Sequence, residues 1–350
     1  QDKQQIKQEN LTIDEKVDKI VASMSKTEKI GQMVMIGIQG TKVDDDSLYM
    51  LNQYHMGGVI LFDRNMKSPE QVKQLTSDLQ AQSNEKVPLF IGIDEEGGDV
   101  VRMAENLTPP PSQKEIGATG DIEQAKTWAI KTAKSLKEMG INVNFAPVAD
   151  VGSNDKRSYS TDTNTVIDFV RAATKGYQQE NIIYSLKHFP GIGKGKVDSH
   201  IDSSSIDVVK EVLMTEDILP FKTIIDENEP NDYFILVSHL KYPALDEEYP
   251  ASLSSKIMTD LLRNELGYKG IIITDDMEMG AVANHNDFRS IGVNAVKAGA
   301  DIVLVCHEYQ HQQEVYLGLL DAVNSGEISQ ERIDESVKRI IKVKLLHLYQ

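Results

Sequence analysis

Eight short apolar runs, interleaved with segments of helical period, constrain the fold of this chain more than any other feature. The runs cover 32–38, 58–62, 89–93, 143–148, 182–186, 233–238, 270–274 and 302–305. Most are unbroken rather than alternating, which is how a strand reads when a parallel sheet buries both its faces. Apolar spacing predicts helices over 70–82, 123–139, 165–179, 208–225, 254–265, 287–298 and 312–324, with a first over 13–28 and a last over 331–348. Parallel neighbours need a long crossover, and a helix is the usual one. Eight alternations with no break in composition predict a single α/β domain over 11–350, a (β/α)8 TIM-type barrel. A doubly wound sheet has the same periodicity and stays open as the alternative. Residues 1–10, QDKQQIKQEN, are expected to be a disordered leader, and Pro109–Pro111 to be a rigid loop inside the domain.

Charge narrows the partners. Fifty-four acidic against 37 basic residues give a net charge of −17, which argues against nucleic acid or an anionic membrane as the main partner. The one cysteine, Cys306, follows the apolar run 302–305, so a buried thiol is expected and an intrachain disulfide is excluded. No apolar run approaches the roughly 18 residues of a spanning helix, so no transmembrane segment is expected. The chain starts with Gln and a polar stretch. A secreted or surface-tethered protein, with a signal or lipid anchor upstream, is therefore expected ahead of a cytoplasmic one. A monomer is expected.

Chemistry gathers where the strands end. Asp94 follows the third run, Arg157 lies in the loop after the fourth, Lys187 and His188 end the fifth, His239 ends the sixth and Asp275 ends the seventh. Polar residues at the carboxyl ends of different strands are how barrel enzymes assemble a site. The densest stretch is 187–200, KHFPGIGKGKVDSH: a basic pair, then Gly191, Gly193 and Gly195, then Asp198 and His200. These glycines are expected to let the loop move over a substrate.

Each candidate has a plain alternative. Asp275 and Asp276 close a strand, where an ionised carboxylate can attack an anomeric carbon; either can also cap the next helix. Asp198 can fix the tautomer of His200, which then gives or takes a proton; the same residues also suit an exposed turn. Asp94 can accept from vicinal hydroxyls and Arg102 can grip an oxygen, but DEEGG also reads as a solvated turn, with Glu95 and Glu96 ambiguous between site and solvent. His188, Asp198, His200, His239 and Asp275 could form a metal cluster, yet no His pair has the spacing of a barrel metallohydrolase, and His307 and His311 lie in a different, late segment. No glycine-rich loop fits a nucleotide.

Taken together, DEEGGDVVR (94–102), INVNFAPVADV (141–151), KHFPG (187–191), VDSH (197–200), SHLKYP (238–243) and ITDDMEMGA (273–281) resemble the β-N-acetylglucosaminidases of glycoside hydrolase family 3. The resemblance runs from about Glu15 to the C-terminus. It implies a retaining, two-step exo-hydrolase on one barrel, with no metal or organic cofactor. Asp275 matches the nucleophile, His200 the general acid/base and Asp198 its partner, a departure from the usual pair of carboxylates. Asp94, Arg102, Arg157, Lys187, His188 and His239 match the substrate-binding positions. The implied substrate is a carbohydrate, namely peptidoglycan fragments ending in β-linked N-acetylglucosamine. The DSH loop favours this sugar over glucose, because the β-glucosidase branch generally takes its acid/base from a second domain. An imidazole acid/base also admits phosphate as acceptor, which leaves a phosphorylase as an alternative. A catalytically idle barrel that binds cell-wall glycans is another. Ile192 stands where the family often has His, Lys194 and Lys196 where it often has acidic or small residues, and Asp99 where Arg is common. The two lysines are expected to favour an acidic aglycone.

Overall fold

The computed structural model describes residues 10–83, 86–103, 108–152, 156–195 and 204–349. The sequence motif at 198–200 and most of the predicted leader lie outside these residues. All eight runs carry strand: β1 Val34–Gly37, β2 Gly58–Leu61, β3 Phe90–Ile93, β4 Val143–Asn144, β5 Tyr184–Phe189, β6 Tyr233–Val237, β7 Ile271–Thr274 and β8 Val303–Val305. Every residue of every strand is buried. Burial on both faces is what removed the alternation from the sequence.

The strands form two parallel sheets. One has the order β4-β3-β2-β1-β8 and the other β5-β6-β7. Single parallel bridges lie between their edges: Val143 with Ile183 and Val148 with Lys187 on one side, Ile273 with Ile302 on the other. The sheets share a core. Phe90 of β3 meets Phe234 of β6 edge to face at 5.1 Å, and Phe145 sits 6.5 Å from the same ring. Gly92 leaves room for this packing, since a Cβ there would lie 2.7 Å from the Phe145 ring. A row of tyrosines, 184, 233 and 268, stacks beside it at 5.1 and 5.4 Å. Such contacts add about 0.5–1.5 kcal/mol each beyond simple burial.

Helix starts follow local chemistry. Ser25 and Glu28 form a capping box that begins the helix Lys26–Gln32, so the single helix predicted over 13–28 is two, Ile13–Ser23 and Lys26–Gln32. Ser68 caps Pro69–Gln82 with proline in its first turn. Asp162 caps Thr163–Gln179, and Asp287 caps Phe288–Ala298. A helix that the periodicity reading passed over, Asp45–Tyr54, links β1 to β2. It buries Ser47, Met50, Leu51 and Tyr54, an i, i+3, i+4, i+7 face.

Two buried charges tie the last helix, Gln330–His347, to the sheets. Lys344 Nζ donates to Gln32 Oε1 at 2.8 Å and to the Gly57 carbonyl at 2.7 Å, over the Phe90 ring. Asp301, fully buried, takes Arg263 and Arg339 at 2.9 Å each, Ser336 at 2.6 Å and the Ile272 amide at 2.9 Å. Burial pushes the Asp301 carboxyl up, but Arg263 and then Arg339 outweigh it and hold it below its usual range.

Candidate active site

A cavity of about 280 Å3 opens at the carboxyl ends of the strands. Its wall brings together Asp94, Arg102, Arg157, Lys187, His188 and Asp275, residues up to 181 positions apart in the chain (275 − 94). Lys187 and His188 lie inside β5, which runs on to Phe189, rather than at its end.

Lys187 is the hub. Its Nζ reaches Glu96 Oε2 at 2.6 Å and Asp94 Oδ1 at 3.0 Å. Arg157 grips the same Glu96 carboxylate with two bonds, Nε to Oε1 at 2.9 Å and an Nη to Oε2 at 2.7 Å. That two-point geometry fixes the guanidinium plane. Arg102 holds Asp94 from the other side at 3.3 Å. Burial disfavours the charge on Asp94 and Glu96. Lys187 beside both, with Arg102 and Arg157 respectively, more than offsets this and holds both carboxyls below their ordinary range. Lys187 is raised in turn: burial lowers it, and Asp94 and Glu96 overcome that. Two carboxylates and three cations therefore stay charged inside a narrow cavity.

His188 is set by Asp150. Asp150 Oδ2 lies 2.8 Å from Nδ1, and Oδ1 accepts the amides of His188 at 3.2 Å and Ile192 at 3.0 Å. An Arg157 Nη lies 3.3 Å from Nε2. A guanidinium only donates, so Nε2 accepts and Nδ1 carries the proton toward Asp150. Asp150 was passed over in the sequence. Its position just after the apolar stretch 143–148 repeats the signal that marked Asp94 and Asp275.

Asp275 leaves β7 with its amide bonded to the Val237 carbonyl at 3.0 Å, which pins the turn to β6. Its Oδ1 accepts the Asp276 amide at 2.8 Å. Oδ2 has no hydrogen-bond partner among the described residues. Asp276 behaves differently. It accepts the amides of Glu278 and Cys306 at 3.1 Å each, and burial with Glu278 nearby pushes its carboxyl up to about 7. The pair thus divides the two readings offered by the sequence: Asp276 takes the local amides and Asp275 keeps an oxygen open.

Other expectations change. His239 is buried, but it does not line the cavity. Its ring is engaged by Ser252 Oγ at 2.6 Å and the Asp276 carbonyl at 2.7 Å, which steadies the turn carrying Asp275. Glu95 and Glu96, ambiguous in the sequence, are both buried, at 3 % and 6 % exposure. The Glu95 carboxyl accepts only the Arg102 amide among the described residues, and burial lifts it to about 7. Lys194 pairs with Glu216 at 2.8 Å and Asp217 at 2.5 Å. Two of the loop glycines also meet a backbone constraint. Gly191 has φ +115°, and a Cβ on Gly193 would lie 1.8 Å from the Val151 carbonyl. His307, set aside in the sequence as part of a different, late segment, lines the cavity with its Nδ1 held by Arg64 at 2.7 Å. Cys306 is a buried thiol. Among the described residues no three His, Cys, Asp or Glu side chains come together as a metal site, and no helix is long and apolar enough to cross a membrane.

Known proteins share this architecture. The model of the glycosyl hydrolase family 3 N-terminal domain matches residues 25–343. β-Hexosaminidase A of Pseudoalteromonas piscicida is 35 % identical over 326 residues, covering 84 % of this chain and 54 % of that protein. The β-hexosaminidase of Nitrosomonas eutropha is 30 % identical over 318 residues, covering 87 % and 90 %. A solved family 3 β-N-acetylglucosaminidase from Paenibacillus sp. superposes with a TM-score of 0.88 at 37 % identity, covering 92 % of this chain and 62 % of that one. The chain thus spans about half the length of the first relative and nearly all of the second. The matched domain takes in all eight strands and the whole wall of the cavity, and the chain belongs to glycosyl hydrolase family 3.

Proposed function

We propose that this chain is a retaining exo-β-N-acetylglucosaminidase built on a closed (β/α)8 barrel. The observation that carries the proposal is Asp275, with one carboxylate oxygen open, on the wall of a 280 Å3 cavity where Asp94, Glu96, Arg102, Arg157 and Lys187 are held by ion pairs. Two relatives named β-hexosaminidase and a β-N-acetylglucosaminidase structure support the substrate class. The parallel bridges between the edges of the two sheets support closure.

In the proposed reaction a terminal sugar enters the cavity. Asp94, charged and fixed by Lys187 and Arg102, accepts from ring hydroxyls. Lys187, Arg157 and His188 supply the facing groups. Asp275 Oδ2 attacks the anomeric carbon as the bond from that carbon to the leaving oxygen breaks. His200, oriented by Asp198, gives its proton to the departing oxygen. Water then attacks the same carbon, its proton returns to His200, and Asp275 is released. Two inversions give net retention. Preorganised charge in a narrow cavity supplies much of the rate, because nothing must reorient as charge develops on the sugar. A cavity of this size suits one ring at the end of a chain, and peptidoglycan fragments ending in β-linked N-acetylglucosamine are the proposed natural substrate.

A 5-fluoro-β-N-acetylglucosaminyl fluoride tests the covalent step. The protein is expected to gain one glycosyl unit in mass, mapped by peptide sequencing to Asp275. Inactivation with the label on another residue, or turnover without any trapped species, contradicts the assignment. Release of glycosyl phosphate instead of free sugar in phosphate buffer would replace water as the acceptor.

A further inference from the structure

A second and larger cavity, of about 480 Å3, lies outside the site just described. It is bounded by the loop after β6, the turn at 285–286 and the helix Phe288–Ala298. We propose that it is a second carbohydrate site, which holds another pyranose unit of a glycan away from the catalytic cavity. The proposal rests on the glycan substrate class argued above.

The cavity has the two-sided character of a sugar ring. Leu253 and Ala298, both buried, form an apolar floor. Tyr249 stands at the rim, 47 % exposed, a large aromatic ring left in water. Its position is built. Asp246 Oδ1 accepts the amides of Glu248 at 2.9 Å and Tyr249 at 3.2 Å, and Asp246 Oδ2 takes Ser254 Oγ at 2.5 Å. Ser254 Oγ in turn accepts the Ile257 amide at 3.1 Å. An exposed aromatic on a loop pinned at four points suits stacking against the C–H face of a pyranose better than it suits solvation. Around it stand groups that can meet hydroxyls. The Tyr249 hydroxyl, the Asn294 amide and the Lys241 ammonium make no hydrogen bond or ion pair among the described residues. Charge gives an anion no advantage over a neutral ligand, because Glu248 offsets Lys241 and Lys297 is already paired with Glu327 at 3.1 Å.

The two cavities share the loops after β6 and β7. Ser238 and Met279 line the first; Lys241 and His285 line the second. Lys241 is also bonded through its main chain to Ser204 at 3.0 Å and Ile206 at 2.8 Å. A glycan held in the second cavity therefore lies against loops that also form the catalytic one.

The test uses the full chain carrying Asp275→Asn, so that ligand is not consumed, titrated calorimetrically with the β-1,4-linked N-acetylglucosamine pentamer. Two binding events are expected. Adding Tyr249→Ala is expected to weaken one of them about tenfold, and Asn294→Ala to weaken the same one. In a chain with Asp275 intact, Tyr249→Ala is expected to leave release of nitrophenol from the monosaccharide glycoside unchanged while slowing cleavage of long glycans severalfold. A single event indifferent to both substitutions overturns the proposal. So does an equal loss on the monosaccharide and the long glycan, which would mark a structural effect. Pentamer binding that depends on Tyr249, in a chain that cleaves no glycoside, would sink the catalytic reading and leave this one standing.

Discussion

Glu96 holds two cations at once, and the shape of the catalytic cavity depends on it. Glu96→Gln leaves Lys187 with Asp94 alone and Arg157 without its two-point partner. Misplacing positioning groups by about 1 Å costs on the order of 100-fold. The expected outcome is a fall in kcat/KM of that order with unchanged circular dichroism; wild-type activity would contradict the role. Glu95 bears on pH dependence, as does Asp276, whose carboxyl is also raised to about 7. The folded-state carboxyl of Glu95 is raised to about 7 by burial, so the folded chain keeps a proton that the unfolded chain releases near its ordinary value of about 4.3. The stability this contributes is full below that value and is lost as pH rises through about 7. Urea midpoints between pH 5 and 8 are expected to fall for the wild type and to fall less for Glu95→Gln; parallel curves would contradict the assignment. Asp94, Lys187, His188 and Asp275 were legible as candidates because each sits in or just after a strand, while Arg102 and Arg157 lie farther along the loops and were carried by the family resemblance. Glu96 was not, because its meaning is a partner 61 residues away; Asp150 had the same signal, but its role shows only in its bond to His188, 38 residues on.

The loop that starts at Gly191 is held, not free, over its described part. Lys194 joins it to the segment Leu213–Asp217 through Glu216 and Asp217, and Gly193 lets it pass against the Val151 carbonyl. Lys194→Ala is expected to lower Tm and to leave any preference for acidic aglycones as it was. A shift in that preference at unchanged Tm would restore the reading made from sequence. Gly193→Ala cannot keep the close approach. It is expected to reduce kcat/KM about tenfold or more while the chain still folds; full activity would show that the loop has room to move. The strands were readable because buried parallel strands leave unbroken apolar runs. The helix Asp45–Tyr54 was overlooked although its capping Asp44 and its i, i+3, i+4, i+7 face are both present. The break at Ser25 was overlooked although Ser25-Lys26-Thr27-Glu28 has the spacing of a capping box.

Across the whole molecule, two parallel sheets share one aromatic core, and the last helix is fastened to both. Asp301 carries much of that fastening, with Arg263 and Arg339 on a fully buried carboxylate. Removing one partner from such a cluster costs about 3 kcal/mol or more. Asp301→Asn is expected to lose about that much in urea unfolding with the slope unchanged; a loss below about 1 kcal/mol would show that the arginines find other partners. The α/β class and the number of strands were legible from periodicity. The pairing of the strands into two sheets was not, because an apolar run records burial but not its neighbour.

The central claim is that Asp275 attacks a β-linked N-acetylglucosamine. Its most direct test is release of nitrophenol from the β-N-acetylglucosaminide, beside the β-glucoside, by the wild type and by Asp275→Asn. The account predicts cleavage of the first, little of the second, and a loss of at least about a thousandfold in the variant. Undiminished cleavage by Asp275→Asn, or a preference for the glucoside, would contradict it.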